Sequence, residues 1–220
     1  MRHRLRGLYA ITPECAQTSQ LLSRVEGCLE GGAALVQYRA KSAPPGLALE
    51  QAKALVALCD SFGVPLIVND SVELARACGA AGVHLGRDDP AVAEARKALP
   101  RGIIGVSCYS EPARARAAAA QGADYVGIGS VFASATKPQA VRAALASLAE
   151  ARRVSGLPVA AIGGVTLENA GEALRAGADM LAVITALFSA PDIGAAARAF
   201  SDLFEANQGE ERGAQKQRAL

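Results

Sequence analysis

A chain of 220 residues fits one domain, near the small end for an eight-stranded α/β barrel. Apolar residues make up 51% of it and aromatics only 4%, with no Trp, so the core must be built from Val, Ile, Leu and Ala; that suits parallel strands buried on both faces better than a β-sandwich. A formal charge of +2, with no basic stripe interleaved with aromatics, gives nucleic-acid binding little support, and no uncharged apolar run is long enough to cross a membrane.

The start, Met1-Arg-His-Arg-Leu-Arg6, is basic, but no apolar signal-peptide core follows it. Five cysteines, Cys15, Cys28, Cys59, Cys78 and Cys108, are odd in number, widely spread and free of C-x-x-C spacing. The expectation is reduced thiols in a cytoplasmic protein, with Cys28, Cys59 and Cys78 as core residues of helices.

Short apolar runs predict strands near Gly7–Ile11, Ala34–Tyr38, Pro65–Asn69, Gly82–Leu85, Ile103–Ser107, Tyr125–Gly129, Pro158–Ile162 and Met180–Ile184. Segments rich in Ala, Leu, Arg and Glu predict helices between them, roughly at 18–31, 47–62, 72–78, 91–99, 111–121, 140–155, 167–176 and 193–206. Such alternation implies parallel strands with crossover helices. Eight units are the number that closes a (β/α)8 TIM barrel and removes both sheet edges. An open doubly wound sheet is the other architecture the alternation allows, but it does not require so regular a spacing.

A repeat supports the count. Similar junctions precede the second, fourth, sixth and eighth strands: Gly32-Ala-Ala-Leu-Val36, Gly79-Ala-Ala-Gly-Val83, Gly122-Ala-Asp-Tyr-Val126 and Gly177-Ala-Asp-Met-Leu181. Gly takes the left-handed conformation that ends a helix, and Ala lets the chain turn tightly into the next strand. From Asn207 the chain turns polar, so a frayed or disordered tail over 207–220 is expected after a barrel domain over 1–206.

Active sites of such barrels sit at the C-terminal ends of the strands. Polar groups fall there after nearly every strand: Gln37, Arg39 and Lys41; Asn69 and Asp70; His84 leading to Asp88 and Asp89; Ser107; Ser134, Thr136 and Lys137; Gly163-Gly164; Thr185. Asp70 and Asp89 follow neighbouring strands, so their carboxylates can converge on a hard cation such as Mg2+. They can equally cap the helices that follow, and Asn69-Asp70-Ser71 before Val72-Glu-Leu-Ala makes capping credible. Arg39, Lys41 and Lys137 surround the same mouth, either as solvated loop charges or as a clamp for a diphosphate. Gly163-Gly164 suits a phosphate-binding βα turn or simply a tight one. His84 either packs in the barrel or reaches the ligand.

Six blocks in order carry a resemblance: Val36-Gln-Tyr-Arg-Ala-Lys41, Val68-Asn-Asp70, Gly82-Val-His-Leu-Gly-Arg-Asp-Asp89, Gly105-Val-Ser107, Gly127-Ile-Gly-Ser-Val-Phe-Ala-Ser-Ala-Thr-Lys137 and Ala161-Ile-Gly-Gly-Val165. Over roughly residues 7–205 the chain resembles the thiamine phosphate synthase family. The resemblance implies a transferase that condenses 4-amino-2-methyl-5-hydroxymethylpyrimidine diphosphate with a thiazole phosphate, often carboxylated. Thiamine phosphate and diphosphate are the implied products.

It further implies that Gln37, Tyr38, Arg39, Ala40, Lys41, Asn69, Ser107 and Lys137 bind the pyrimidine diphosphate. Arg39, Ser107 and Lys137 are the implied catalytic contacts. Ser134, Ala135, Thr136, Gly164, Ile184 and Thr185 are implied to bind the thiazole phosphate, and Asp70 and Asp89 to hold Mg2+. The expected mechanism is a dissociative displacement that relies on positioning and electrostatics. The chain departs from the family at Ala40, where Glu is common, and at Arg87, where Gln is common. The related thiazole tautomerase and a non-catalytic phosphate-ligand binding protein are the alternatives, and retention of Asp70, Asp89 and Lys137 together argues against both. Tautomerases carry a histidine where this chain has Cys108-Tyr109. Small-molecule substrates are the expected partners, and homo-oligomerisation is left open.

Overall fold

The computed structural model describes residues 5–133 and 141–218, with side chains as far as Asn207. Eight strands, β1 (Gly7–Ile11), β2 (Leu35–Tyr38), β3 (Leu66–Asn69), β4 (Gly82–Leu85), β5 (Ile103–Tyr109), β6 (Tyr125–Gly129), β7 (Val159–Ile162) and β8 (Met180–Val183), alternate with helices. These are α1 (Thr18–Glu30), α2 (Pro45–Ser61), α3 (Val72–Cys78), α4 (Val92–Ala98), α5 (Pro112–Ala120), α6 (Ala146–Ser155), α7 (Leu167–Arg175), α8 (Thr185–Phe188) and α9 (Ile193–Arg218). All neighbouring strands pair in parallel, and β1 pairs with β8 through Gly7 and Met180, which closes the sheet. The fold is a single (β/α)8 TIM barrel.

Period-two alternation divides the strands between two apolar layers. Leu8, Val36, Val68, Val83, Ile104, Val126, Ala161 and Leu181 point outward and pack under the helices. Tyr9, Ile11, Leu35, Ile67, Tyr125, Ala160, Met180 and Ala182 point inward and fill the barrel. The two buried tyrosines are the bulk of that interior, and glycines make room for them. A Cβ at Gly105 would sit 2.0 Å from the Tyr125 ring.

The junction repeat has the backbone expected of it: Gly32, Gly79, Gly122 and Gly177 have φ of 90, 75, 94 and 100°. Two of the four junctions carry a further device. Asp124 accepts from the Ile104 N–H of β5 (2.8 Å) and from Arg96 of α4 (2.6 Å). Asp179 does the same for Val159 of β7 (3.0 Å) and Arg152 of α6 (2.9 Å). Each aspartate thus ties a helix to an N–H at the start of the strand after it, the second of β5 and the first of β7.

Several elements differ from expectation, among them α6, which begins only at Ala146 where a helix is expected from 140, and α8, which is not expected. Helix α9 continues past Asn207 to Arg218, because Glu, Arg, Gln, Lys and Ala are good helix formers whether or not they have anything to pack against. Strand β5 runs on to Tyr109 through a register irregularity beyond Ser107. Strand β8 stops at Val183, and Ile184 caps the short helix α8. Among the described residues no helix is long and apolar enough to cross a membrane, and all five cysteines are free, with Cys28, Cys59 and Cys78 buried.

Candidate active site

The inward phase of each strand decides which rim residues reach the mouth. Gln37, Asn69 and Ser107 follow Leu35, Ile67 and Gly105 by two positions and share their inward direction. Gln37 is buried in the barrel, where its amide donates to the Tyr9 hydroxyl. Tyr38 lies on the opposite phase: its side chain packs in the strand–helix layer and its hydroxyl donates to Gln51 Oε1 of α2 at 2.7 Å. Ala40 is likewise packed against that outer layer. Only backbone atoms of these two positions can border the mouth.

After β2 the chain is fastened from the loop after β1. The Arg39 N–H donates to Thr12 Oγ1 (2.9 Å), and Glu14 accepts from the Lys41 N–H (2.7 Å) and the Ser42 hydroxyl (2.9 Å). Thr12 and Glu14 sit at the end of the first strand, the one strand end at which no candidate is expected from sequence. The rule used for the other strands would have found them.

Lys41 Nζ reaches Asp70 Oδ2 at 2.9 Å. Asp70 does not cap α3; Ser71 does, its hydroxyl accepting from the Leu74 N–H at 3.1 Å. Asp70 instead adopts a left-handed backbone, φ 64°, where non-Gly residues are uncommon. Asp89 is not a cap either, since α4 has Ala91 at its N-cap; its carboxylate accepts from the Gly86 N–H inside its own loop. The two carboxylates lie close enough to interact, so that a proton on Asp89 would be shared with Asp70. Burial works to raise the Asp70 carboxyl, but hydrogen bonds from Lys41 and Asp89 and the Lys41 charge outweigh it and hold it below the usual range. Asp89 is raised, by burial first and by the Asp70 charge beside it, against the pull of the Gly86 N–H.

Two carboxylates in mutual contact, one already pushed toward protonation, form a site that a divalent cation would relieve. Among the described residues no group of three or more His, Cys, Asp or Glu side chains gathers, so a metal here would draw most of its shell from water and substrate, as magnesium accepts. Arg87 is turned away from this pair. It pairs with Glu111 (2.6 Å) and stacks over the Tyr109 ring, while its N–H donates to the Tyr109 hydroxyl.

Below the rim, His84 is buried, with Nδ1 2.9 Å from the Tyr125 hydroxyl and Nε2 2.9 Å from Ser107 Oγ. Burial lowers its pKa from 6.5 to about 4, the Asp70 charge opposing this only in part. The unfolded chain therefore takes up a proton between these values that the folded ring refuses, so stability falls as pH drops through that window. The loss should reach about 2–3 kcal/mol near pH 4.5. Urea midpoints at pH 7 and pH 4.5 should fall more steeply for wild type than for His84→Gln. Equal falls would mean the ring is not held neutral.

On the far side, Gly163 and Gly164 take φ of 94 and 64° in succession after β7. A Cβ at Gly164 would meet the Ala133 carbonyl oxygen at 2.1 Å. Asn169 secures the turn, donating to the Gly164 carbonyl (2.9 Å) and accepting from the Thr166 N–H (2.9 Å). Ile184 and Thr185 open α8 beside it. Ser134, Ala135, Thr136 and Lys137 lie outside the described residues. The mouth thus holds a carboxylate pair and cations on one side and a glycine turn with a short extra helix on the other.

Known proteins resemble this chain over most of its length. The family model for thiamine monophosphate synthase matches residues 8–187. A thiamine-phosphate synthase of Aromatoleum aromaticum is 54% identical over 204 residues, covering 92% of this chain and 98% of that one. One from an Azoarcus species is 54% identical over 205 residues, covering 93% and 100%. Among solved structures, a thiamine phosphate pyrophosphorylase from Pyrococcus furiosus superposes with a TM-score of 0.83 at 35% identity, covering 93% and 98% of the two chains. With a match that takes in seven strands whole and nearly all of β1, and relatives at this identity covered almost end to end, the chain belongs to the thiamine monophosphate synthase family.

Proposed function

We infer that this chain condenses 4-amino-2-methyl-5-hydroxymethylpyrimidine diphosphate with a thiazole phosphate, releasing diphosphate and forming thiamine phosphate. The observation that carries the reading is the Lys41–Asp70–Asp89 cluster at the ends of β2, β3 and β4, which suits a metal-bound diphosphate and has no purpose in a simple isomerase. Asp70 and Asp89 would hold Mg2+, which when bound supplies positive charge against the diphosphate oxygens. Arg39 and Lys41 on this rim, with Lys137, add donors where negative charge grows as the leaving group departs.

The displacement is dissociative. The C–O bond to diphosphate breaks and the leaving group keeps the electron pair. The aminopyrimidine spreads the positive charge left on its methylene carbon. The thiazole nitrogen lone pair then forms the new C–N bond, and a carboxylated thiazole loses carbon dioxide. Gly164 and Thr185 suit the thiazole phosphate, in the place after the seventh and eighth strands where barrels often bind phosphate. Incubation with both substrates and magnesium, following diphosphate, tests the reading; no release above background would end it.

Proton transfer on the thiazole is not supported. Cys108 is fully buried, and burial pushes its thiol up to about 12, so no thiolate is available near neutral pH. Cys108→Ala should retain most synthase turnover, and neither form should speed tautomer interconversion of the thiazole. Tautomerisation abolished by Cys108→Ala would instead make this chain an isomerase.

A further inference from the structure

One line of buried polar side chains joins Gln37 to Ser107 through three residues, Tyr9, Tyr125 and His84, that have no part in the displacement as described. It crosses the barrel interior from β2 to β5: Gln37 Nε2 meets the Tyr9 hydroxyl, Tyr9 meets the Tyr125 hydroxyl at 2.6 Å, Tyr125 meets His84 Nδ1 at 2.9 Å, and His84 Nε2 meets Ser107 Oγ at 2.9 Å. Tyr9 and Tyr125 are fully buried, and Gln37 and His84 nearly so. The barrel is shaped around them. Cβ atoms at Gly105 and Gly127 would press on the Tyr125 ring and approach the His84 ring.

We propose that this chain of hydrogen bonds runs in one direction only, from Gln37 to Ser107, and that it makes His84, Tyr125 and Tyr9 positioning residues that turn the Ser107 hydroxyl toward the substrate as a donor. The direction follows from counting protons. The Gln37 amide nitrogen can only donate, so Tyr9 accepts there, and its single proton must go to Tyr125. Tyr125 then accepts from Tyr9, and its own proton must go to His84 Nδ1. A neutral imidazole with a bare Nδ1 carries its proton on Nε2, which donates to Ser107 Oγ. Ser107 accepts from inside and its proton points out.

The reverse direction, with a proton on Nδ1, would need the Gln37 amide turned over to offer Oε1; with Nε2 toward Tyr9, as it stands, the Tyr9 proton would face the amide protons without an acceptor. A buried donor without a partner is costly. The proposal rests on the synthase reading for what Ser107 does: an outward hydroxyl proton meets a diphosphate oxygen as its charge grows.

The chain has two histidines, His3 and His84, so a His3→Gln variant leaves one imidazole to observe. Nitrogen-15 NMR of that ring at neutral pH should show a single neutral tautomer, with Nε2 protonated and Nδ1 bare. A proton on Nδ1 would overturn the proposal, whatever the enzyme's activity. Tyr125→Phe keeps the ring and removes the link, so His84 should lose its single tautomer, and kcat should fall about tenfold while KM for the pyrimidine substrate stays near wild type. His84→Gln, whose amide N–H can replace Nε2–H, should retain more kcat than His84→Leu. Wild-type tautomer and kcat in Tyr125→Phe would make the chain a packing feature and sink the idea. If wild type shows the Nε2–H tautomer but releases no diphosphate, the synthase reading fails and the direction of the chain stands.

Discussion

Asp70→Asn and Asp89→Asn should each lower diphosphate release by ~10²–10³-fold at fixed magnesium while leaving the barrel folded. Neither carboxylate holds the fold: Ser71 caps α3 in place of Asp70, and the Asp89 hydrogen bond stays within its own loop. What they share is contact with each other, and with Lys41 on one side. In the resting protein Asp89 is the member pushed toward protonation, so neutralising it removes a repulsion rather than a support. Asp89→Asn should therefore melt at or above the wild-type temperature even as its turnover collapses. Asp70→Asn frees Lys41 and should lose magnesium response and pyrimidine-diphosphate binding together. Initial rates against magnesium concentration, with thermal melts alongside, check both. Wild-type rates and magnesium curves in both variants would remove the metal from Asp70 and Asp89.

The barrel is legible because its signals are periodic and redundant. Strand after strand repeats a short apolar run, and four Gly-Ala junctions fall at matching places. The site is legible for a related reason: a closed parallel barrel puts every strand end on one rim, so Gln37, Asn69, Asp70, Asp89 and Ser107 can be collected without knowing any contact. Direction is harder to read. Tyr38 belongs to the resembling block, yet its place on the outward phase sends its side chain to Gln51, a result that counting from Leu35 could have given.

Partners far apart in the chain are harder still. Nothing local in Tyr9, Tyr125 and His84 says that they touch, since the pairs are separated by 116 and 41 residues and meet only once the barrel closes. Asp124 and Asp179 stand in between. Their motif is visible in the junctions, but the link to Arg96 and Arg152 needs the helices in place. The helix through Arg218 is a different case. Polarity there suggests disorder, although it bears on packing and not on the backbone preference of Glu, Ala, Gln and Lys.

Gly105→Ala should cost roughly 3 kcal/mol or more, at the upper end for overpacking, and lower Tm by roughly 6–12 °C. The added Cβ would lie 2.0 Å from Tyr125 Cζ and 2.3 Å from its hydroxyl oxygen. That ring is fully buried, stands edge-on to Tyr9, and is hydrogen-bonded to Tyr9 and His84, so it cannot swing aside without leaving polar groups unpaired. Gly127→Ala is a gentler insult. Its Cβ would meet Ile162 Cδ1 at 2.6 Å, the far end of a side chain that can change rotamer. Gly46→Ala, in the first turn of α2 with nothing within 4 Å, should be neutral or stabilise by up to about 0.5–1 kcal/mol by limiting the unfolded chain. Tyr125→Phe should not rescue Gly105→Ala, because Cζ itself is the nearest atom. Tyr125→Leu should rescue in part, so that the double variant costs less than the two single changes added. Melting curves for the five single variants and the two doubles check the series. A Gly105→Ala protein that melts with Gly46→Ala would mean that β5 yields by more than an ångström, and that the tyrosine-filled interior is not the rigid frame on which Ser107 is held.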